Sequence, residues 1–202
     1  MMKVVGRPDV RTNLKADTNL SVSWVDIDEP LRAHSENGSD ALGVFQQGKK
    51  SGATTFARLE GCWYGAGKIF FVSTSGGDKE LGQIFEYDPK AERLRLIFES
   101  HDSRLLEYPD NITFSPRGGL ILCEDGDKKV ERLCGLTVDG QLFHFAENHV
   151  RLKGEKNGFH GDYTKQEWCG ACFSPDGNWL FANIQTPGFT VAITGSWERG
   201  IL

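Results

Sequence analysis

The sequence predicts an all-β fold: a β-propeller of about three blades that leaves the ring incomplete, preceded by a strand and a short helix. Three observations predict it. Aromatic residues are 11% of the 202 residues, a share that suits strands better than a helix bundle. Glycine occurs 24 times, enough to supply many tight turns. From Phe56 onward the chain can be laid over itself as three units of strand, turn, strand, loop, strand and turn. The units recur roughly every 50–60 residues, slightly above the usual blade period. A β-sandwich built from similar hairpins is the competing architecture.

Residues 1–52 differ in character from residues 53–202 and are read as a separate N-terminal segment. Within it, S-V-S-W-V-D-I-D from Ser21 alternates apolar and polar residues, as a half-buried strand does. Pro30 to Asp40 is polar and loop-like, and Ser39 or Asp40 can cap a short helix through A-L-G-V-F-Q-Q-G-K-K. The first unit runs R-L-E-G-C-W-Y-G-A-G-K-I-F-F-V-S-T-S-G-G, then G-Q-I-F-E-Y-D-P-K-A-E-R-L-R-L-I-F-E-S. The second runs P-D-N-I-T-F-S-P-R-G-G-L-I-L-C-E-D-G-D, then R-L-C-G-L-T-V-D-G-Q-L-F-H-F-A. The third runs E-W-C-G-A-C-F-S-P-D-G-N-W-L-F-A-N-I-Q, then F-T-V-A-I-T-G-S-W. A blade cannot bury its faces alone, and natural rings have about four to eight blades. Three units therefore imply missing blades, in a longer propeller or on a partner chain.

Composition removes several function classes. A net charge of -5 gives no broad basic surface for nucleic acid. The longest apolar run, around K-I-F-F-V, is far too short to span a bilayer, and the opening M-M-K-V-V-G-R-P-D-V-R shows no export-like apolar stretch. Five cysteines make an odd count with no framework spacing. Cys169 and Cys172 form a C-x-x-C, but no second one accompanies it to complete a zinc site. No histidine has a spacing that suggests a nucleophilic triad.

The chemistry concentrates in the second unit. Asp110 and Asn111 stand at the start of its hairpin, and Glu124, Asp125 and Asp127 at the end. Hairpin geometry sets these two ends side by side. Crowded carboxylates usually mark a cation, and oxygen donors of this kind suit calcium. Aligning the turns brings Glu60 and Glu167 to the same end of the first strands, which line the channel of a propeller. Arg58 lies two residues before Glu60, on the same side of a strand. Its planar fork can clamp a phosphate or carboxylate beside the acids.

These motifs resemble a known family. F-A-R-L-E-G-C-W-Y-G, G-K-I-F-F-V-S-T-S-G-G-D, P-D-N-I-T-F-S-P-R-G-G-L-I-L-C-E-D-G and A-C-F-S-P-D-G-N-W-L-F-A-N-I-Q-T-P-G are similar, in order, to the C-terminal part of the PhoX-type alkaline phosphatases, from about Val22 to Trp197. The resemblance implies a propeller whose channel holds calcium and iron and hydrolyses small phosphate esters, in proteins that are typically exported. It implies Glu60 as a metal ligand and Arg58 as a contact to substrate phosphate. It makes Asp110, Asn111, Glu124 and Glu167 candidates for the metal shell. The family's chain is about twice as long or more, and its N-terminal half carries further blades and ligands, among them a cysteine for iron that Cys62 does not replace. A calcium-dependent propeller lactonase and a non-catalytic remnant that pairs with a partner chain are the alternatives.

Overall fold

The computed structural model describes residues 1–32, 43–126 and 130–202. The caps expected at Ser39 or Asp40, and Asp127 among the crowded acids, lie outside these residues. The regular structure is nearly all β, in curled antiparallel sheets arranged as part of a β-propeller. Blade one contains β3 (Leu59–Gly65), β4 (Lys68–Ser73), β5 (Gln83–Asp88) and β6 (Arg93–Glu99) in sequence order. Blade two contains β7 (Pro109–Phe114), β8 (Leu120–Glu124), β9 (Arg132–Leu136) and β10 (Leu142–Glu147). A two-stranded hairpin, β11 (Arg151–Lys156) and β12 (Phe159–Asp162), precedes blade three. That blade has three strands, β13 (Trp168–Phe173), β14 (Leu180–Ile184) and β15 (Phe189–Ile193).

The N-terminal segment joins blade one. Strand β2 (Asn19–Trp24) pairs with β6, and β1 (Met2–Val4) pairs with β2, so the sheet has six strands. Helix α1 (Gly43–Lys50) lies in the expected place. The boundary near residue 52 separates two kinds of sequence, yet both sides share one sheet and one core. Val4, Val10, Leu14 and Val22 pack on Phe85, Tyr87, Leu94 and Leu96.

Burial shows where each blade has neighbours. In blade two, β8 and β9 are buried at every position, because both faces of that blade are covered. One face meets blade one through Phe70, Val72, Ile84, Ile112, Leu120 and Leu122. The other meets blade three through Ile121, Cys123, Leu133, Leu180, Ala182 and Ile184. This explains the continuous apolar run L-I-L-C, which has no alternation to read. Strand β14 instead alternates buried and exposed residues, and β3 is mostly exposed. These are the two open ends of the arc. No helix among the described residues is long and apolar enough to cross a membrane.

The inner strands β3, β7 and β13 stand side by side, β3 against β7 and β7 against β13. A Cβ on Gly61 would sit 2.6 Å from the Asp110 carbonyl oxygen and 2.8 Å from both Asn111 Cα and the Ile112 nitrogen. All three are backbone atoms, so a side chain cannot be fitted by a rotamer change. Gly61→Ala should therefore push blades one and two apart at a cost of about 1–3 kcal/mol, as overpacking does. Urea denaturation checks this; an unchanged midpoint would show that the close approach does not matter.

Candidate metal centre

The three blades place their site residues with one repeated device. The residue just before each inner strand uses its carbonyl to accept the amide of the residue just after the second strand. Thr74 donates to Arg58 at 2.9 Å, Asp125 to Tyr108 at 3.0 Å and Gln185 to Glu167 at 3.1 Å. Arg58, Tyr108 and Glu167 are thus equivalent positions, as are Thr74, Asp125 and Gln185. The next pairs are equivalent too: Leu59 with Ser73, Pro109 with Glu124, and Trp168 with Ile184. Each inner strand then bulges, between Leu59 and Cys62, Pro109 and Asn111, and Cys169 and Cys172. A bulge adds a residue to one strand and re-aims its side chain. Glu60 and Asp110 lie in the bulges of the first two blades, whereas in the third Cys169 still pairs with Asn183 and the bulge falls at Gly170 and Ala171.

Asp110, Asp125 and Glu167 converge, each offering an oxygen within 4.8 Å of the others. Burial first, then the charges of Asp125 and Glu60, push the Asp110 carboxyl up to about 6. Arg58 opposes that rise. Burial also leads for Glu167, which a hydrogen bond with Asp125 and the charges of Asp125 and Asp110 help push up to about 8. A hydrogen bond from Gln185 works against this. Two carboxyls can share a hydrogen bond only when one is protonated, so the metal-free cluster holds protons near neutral pH.

Arg58 and Glu60 flank the cluster as an ion pair, Nη2 to Oε1 at 2.8 Å, with the guanidinium half exposed. The Arg58 backbone is left-handed, with φ of 46°. A non-glycine residue there costs about 1–2 kcal/mol, and the surroundings hold it. Ser73 Oγ donates to the Ala57 carbonyl at 2.6 Å and accepts the Ala57 amide at 3.2 Å. Strained backbone of this kind is concentrated at functional sites.

The remaining expected ligands lie differently. Glu124 is fully buried and forms a two-pronged pair with Arg132, Nε to Oε2 and Nη2 to Oε1, both at 2.6 Å. It also accepts the Glu107 amide at 2.8 Å. Its carboxylate therefore anchors a buried arginine and does not join the trio. Asn111 Oδ1 lies 4.0 Å from Cys123 Sγ, at the junction with blade three. Asp125 is the ligand candidate that the motif reading passed over in favour of its neighbour Glu124. Alternation along β8 sends neighbouring side chains to opposite faces, and that is the signal that distinguishes them.

The residues present fit a hard cation. Asp110 Oδ1 is buried with no hydrogen-bond partner, an expensive state for a carboxylate oxygen unless something binds it. The donor set is all oxygen, as calcium prefers, and supplies three of the six to eight ligands that calcium takes.

An antiparallel propeller arc with carboxylates gathered at one end of its inner blade strands defines the class: a β-propeller protein with a candidate cation site. The chain belongs to the alkaline phosphatase PhoX family, whose family model matches residues 2–188. Among solved structures it is similar to Pseudomonas fluorescens PhoX in complex with vanadate, described as a transition state analogue. The TM-score is 0.64 and the identity 17%, over 96% of this chain and 43% of that one. It is also similar to the Pseudomonas aeruginosa periplasmic gluconolactonase PpgL, with a TM-score of 0.48 and 16% identity over 69% of this chain and 40% of that one. At such identities the likeness is one of fold. The chain spans less than half the length of either structure. None of the curated proteins matches it.

The raised carboxyls set a sign for pH. Their ordinary values are 3.8 and 4.5, so between about pH 4 and pH 8 the folded metal-free chain binds more protons than the unfolded one. Their contribution to stability is intact below pH 4 and is lost as pH rises through about 6 and 8. Melting temperature in chelator should fall across that window, and Asp125→Asn should flatten the fall. An identical slope in that variant would refute the shared cluster.

Proposed function

We propose that this chain supplies part of the active site of a metal-dependent phosphatase that hydrolyses phosphate monoesters. The observation that carries the reading is the placement of Arg58 and Glu60 beside Asp110, Asp125 and Glu167, at one end of the first two strands of adjacent blades. Family membership supports the reaction class. Asp110, Asp125 and Glu167 would hold a cation, with calcium the best match to the oxygen donors and iron a second expected metal. When bound, the metal supplies Lewis-acid stabilisation of charge on phosphate oxygens.

The chain's own residues do the rest. The Arg58 fork donates two parallel hydrogen bonds to phosphate oxygens and holds the ester for attack in line. Glu60, already accepting from Arg58, fixes the direction of that fork. Water forms the new P–O bond, the ester P–O bond breaks, and the leaving alcohol takes up a proton. Further blades, from a longer chain or a partner chain, would cover the open ends of the arc and enclose the ester.

Phosphate binding to the calcium-loaded chain tests this. Arg58→Gly should weaken inorganic phosphate by about 1.5–3 kcal/mol, the worth of charged hydrogen bonds. It should not lower the melting temperature, because glycine relieves the left-handed backbone. Turnover of 4-nitrophenyl phosphate, stopped by chelator, is expected over turnover of a lactone. Phosphate affinity indifferent to Arg58, or lactone turnover alone, would overturn the proposal.

A further inference from the structure

Thr74 follows the second strand of blade one, and the backbone pairing makes it the equivalent of Asp125 in blade two and Gln185 in blade three. Both equivalents act within the acidic cluster. Asp125 is one of the three converging carboxylates, and Gln185 hydrogen-bonds Glu167. Thr74 is the remaining member of the set. Its amide donates to the carbonyl of Arg58, whose charge acts on Asp110. Blade two is equally close. A Cβ on Gly82 would lie 2.5 Å from Pro109 Cδ and 3.4 Å from the Thr74 carbonyl oxygen, so Gly82 alone separates Thr74 from the start of the strand that carries Asp110.

The Thr74 side chain is fully buried, and its Oγ1 has no hydrogen-bond partner among the described residues. A buried hydroxyl left unpaired is destabilising, and valine would fill the same space without that cost. Asp110 Oδ1 is in the same state at the same end of the blades. Thr113 Oγ1 shares it too, but further along β7, opposite Ile121. Calcium lies about 2.3–2.6 Å from its oxygens, closer than the roughly 2.7–2.8 Å of a hydroxyl hydrogen bond. Dry, unpaired oxygens therefore suit a bare cation better than a trapped water.

Charge accounts for the residue type. Glu60, Asp110, Asp125 and Glu167 already bring four carboxyls against the one guanidinium of Arg58. Another acid at position 74 would add repulsion. A neutral hydroxyl supplies an oxygen without charge, as ligating water does.

We infer that the Thr74 hydroxyl oxygen is a ligand of the cation that Asp110, Asp125 and Glu167 hold, contributed by blade one at the position that supplies Asp125 in blade two. This rests on the cation reading of the three carboxylates and is independent of the phosphatase reaction.

Calorimetric titration of calcium, with melting temperature measured in chelator, tests it. Thr74→Val removes the oxygen and keeps the shape. It should weaken calcium at least about tenfold, the scale of a lost support in a metal site, while the melting temperature in chelator holds or rises. Thr74→Ser keeps the oxygen and should bind calcium as the unaltered chain does. Calcium affinity unchanged in Thr74→Val but lost in Asp125→Asn overturns the inference and leaves the carboxylates standing as the site. Equal losses in Thr74→Val and Thr74→Ser overturn it as well, because the oxygen would not be what counts. So does a lower melting temperature of Thr74→Val in chelator, which would mean that the hydroxyl has a partner in the protein. Absence of calcium binding to the unaltered chain overturns both readings together.

Discussion

The backbone of β3 touches the backbone of β7 at Gly61, and the geometry of the channel end depends on that approach. It lets blade one close on blade two through Phe70, Ile84, Ile112 and Leu122. It also brings the bulge carrying Glu60 against the bulge carrying Asp110. A side chain at Gly61 would separate the two blades and the two carboxylates together. Packing and chemistry are coupled at this point, because the residues that converge sit on the strands that must pack.

The same end of the arc accumulates unfavourable electrostatics and backbone strain. Three carboxyls share a partly dry space, one of their oxygens is buried without a partner, and an arginine beside them holds a left-handed backbone. Proteins keep such features where they act. Contrast Glu124 and Arg132, joined by two hydrogen bonds a few residues away, with Glu124 also accepting the Glu107 amide. That pair ties the end of β8 to β9. One hairpin therefore carries one carboxylate that supports the fold and another aimed at the channel.

Much of this was legible in the residues. Turn sequences such as S-P-R-G and S-P-D-G marked the hairpins, and repetition marked the blades. The acids at both ends of the second hairpin pointed to a cation. What failed was resolution at single residues. A motif names Glu124 and Asp125 together, and only strand parity separates them. Turn alignment grouped Glu167 with Glu60 and Asp110, whereas the backbone pairing makes it equivalent to Arg58 and Tyr108. The N-terminal segment read as separate because its strand β2 pairs with β6, some 70 residues downstream in sequence.

The central claim is that Asp110, Asp125 and Glu167 form one cation site that holds protons when empty. Calorimetric titration of calcium at pH 7, repeated in buffers of different ionisation heat, tests it most directly. The account predicts a single strong site whose binding enthalpy depends on the buffer, with release of on the order of one proton per cation. It also predicts that this release disappears in Glu167→Gln. No binding heat, or binding without proton release in the unaltered chain, would contradict it.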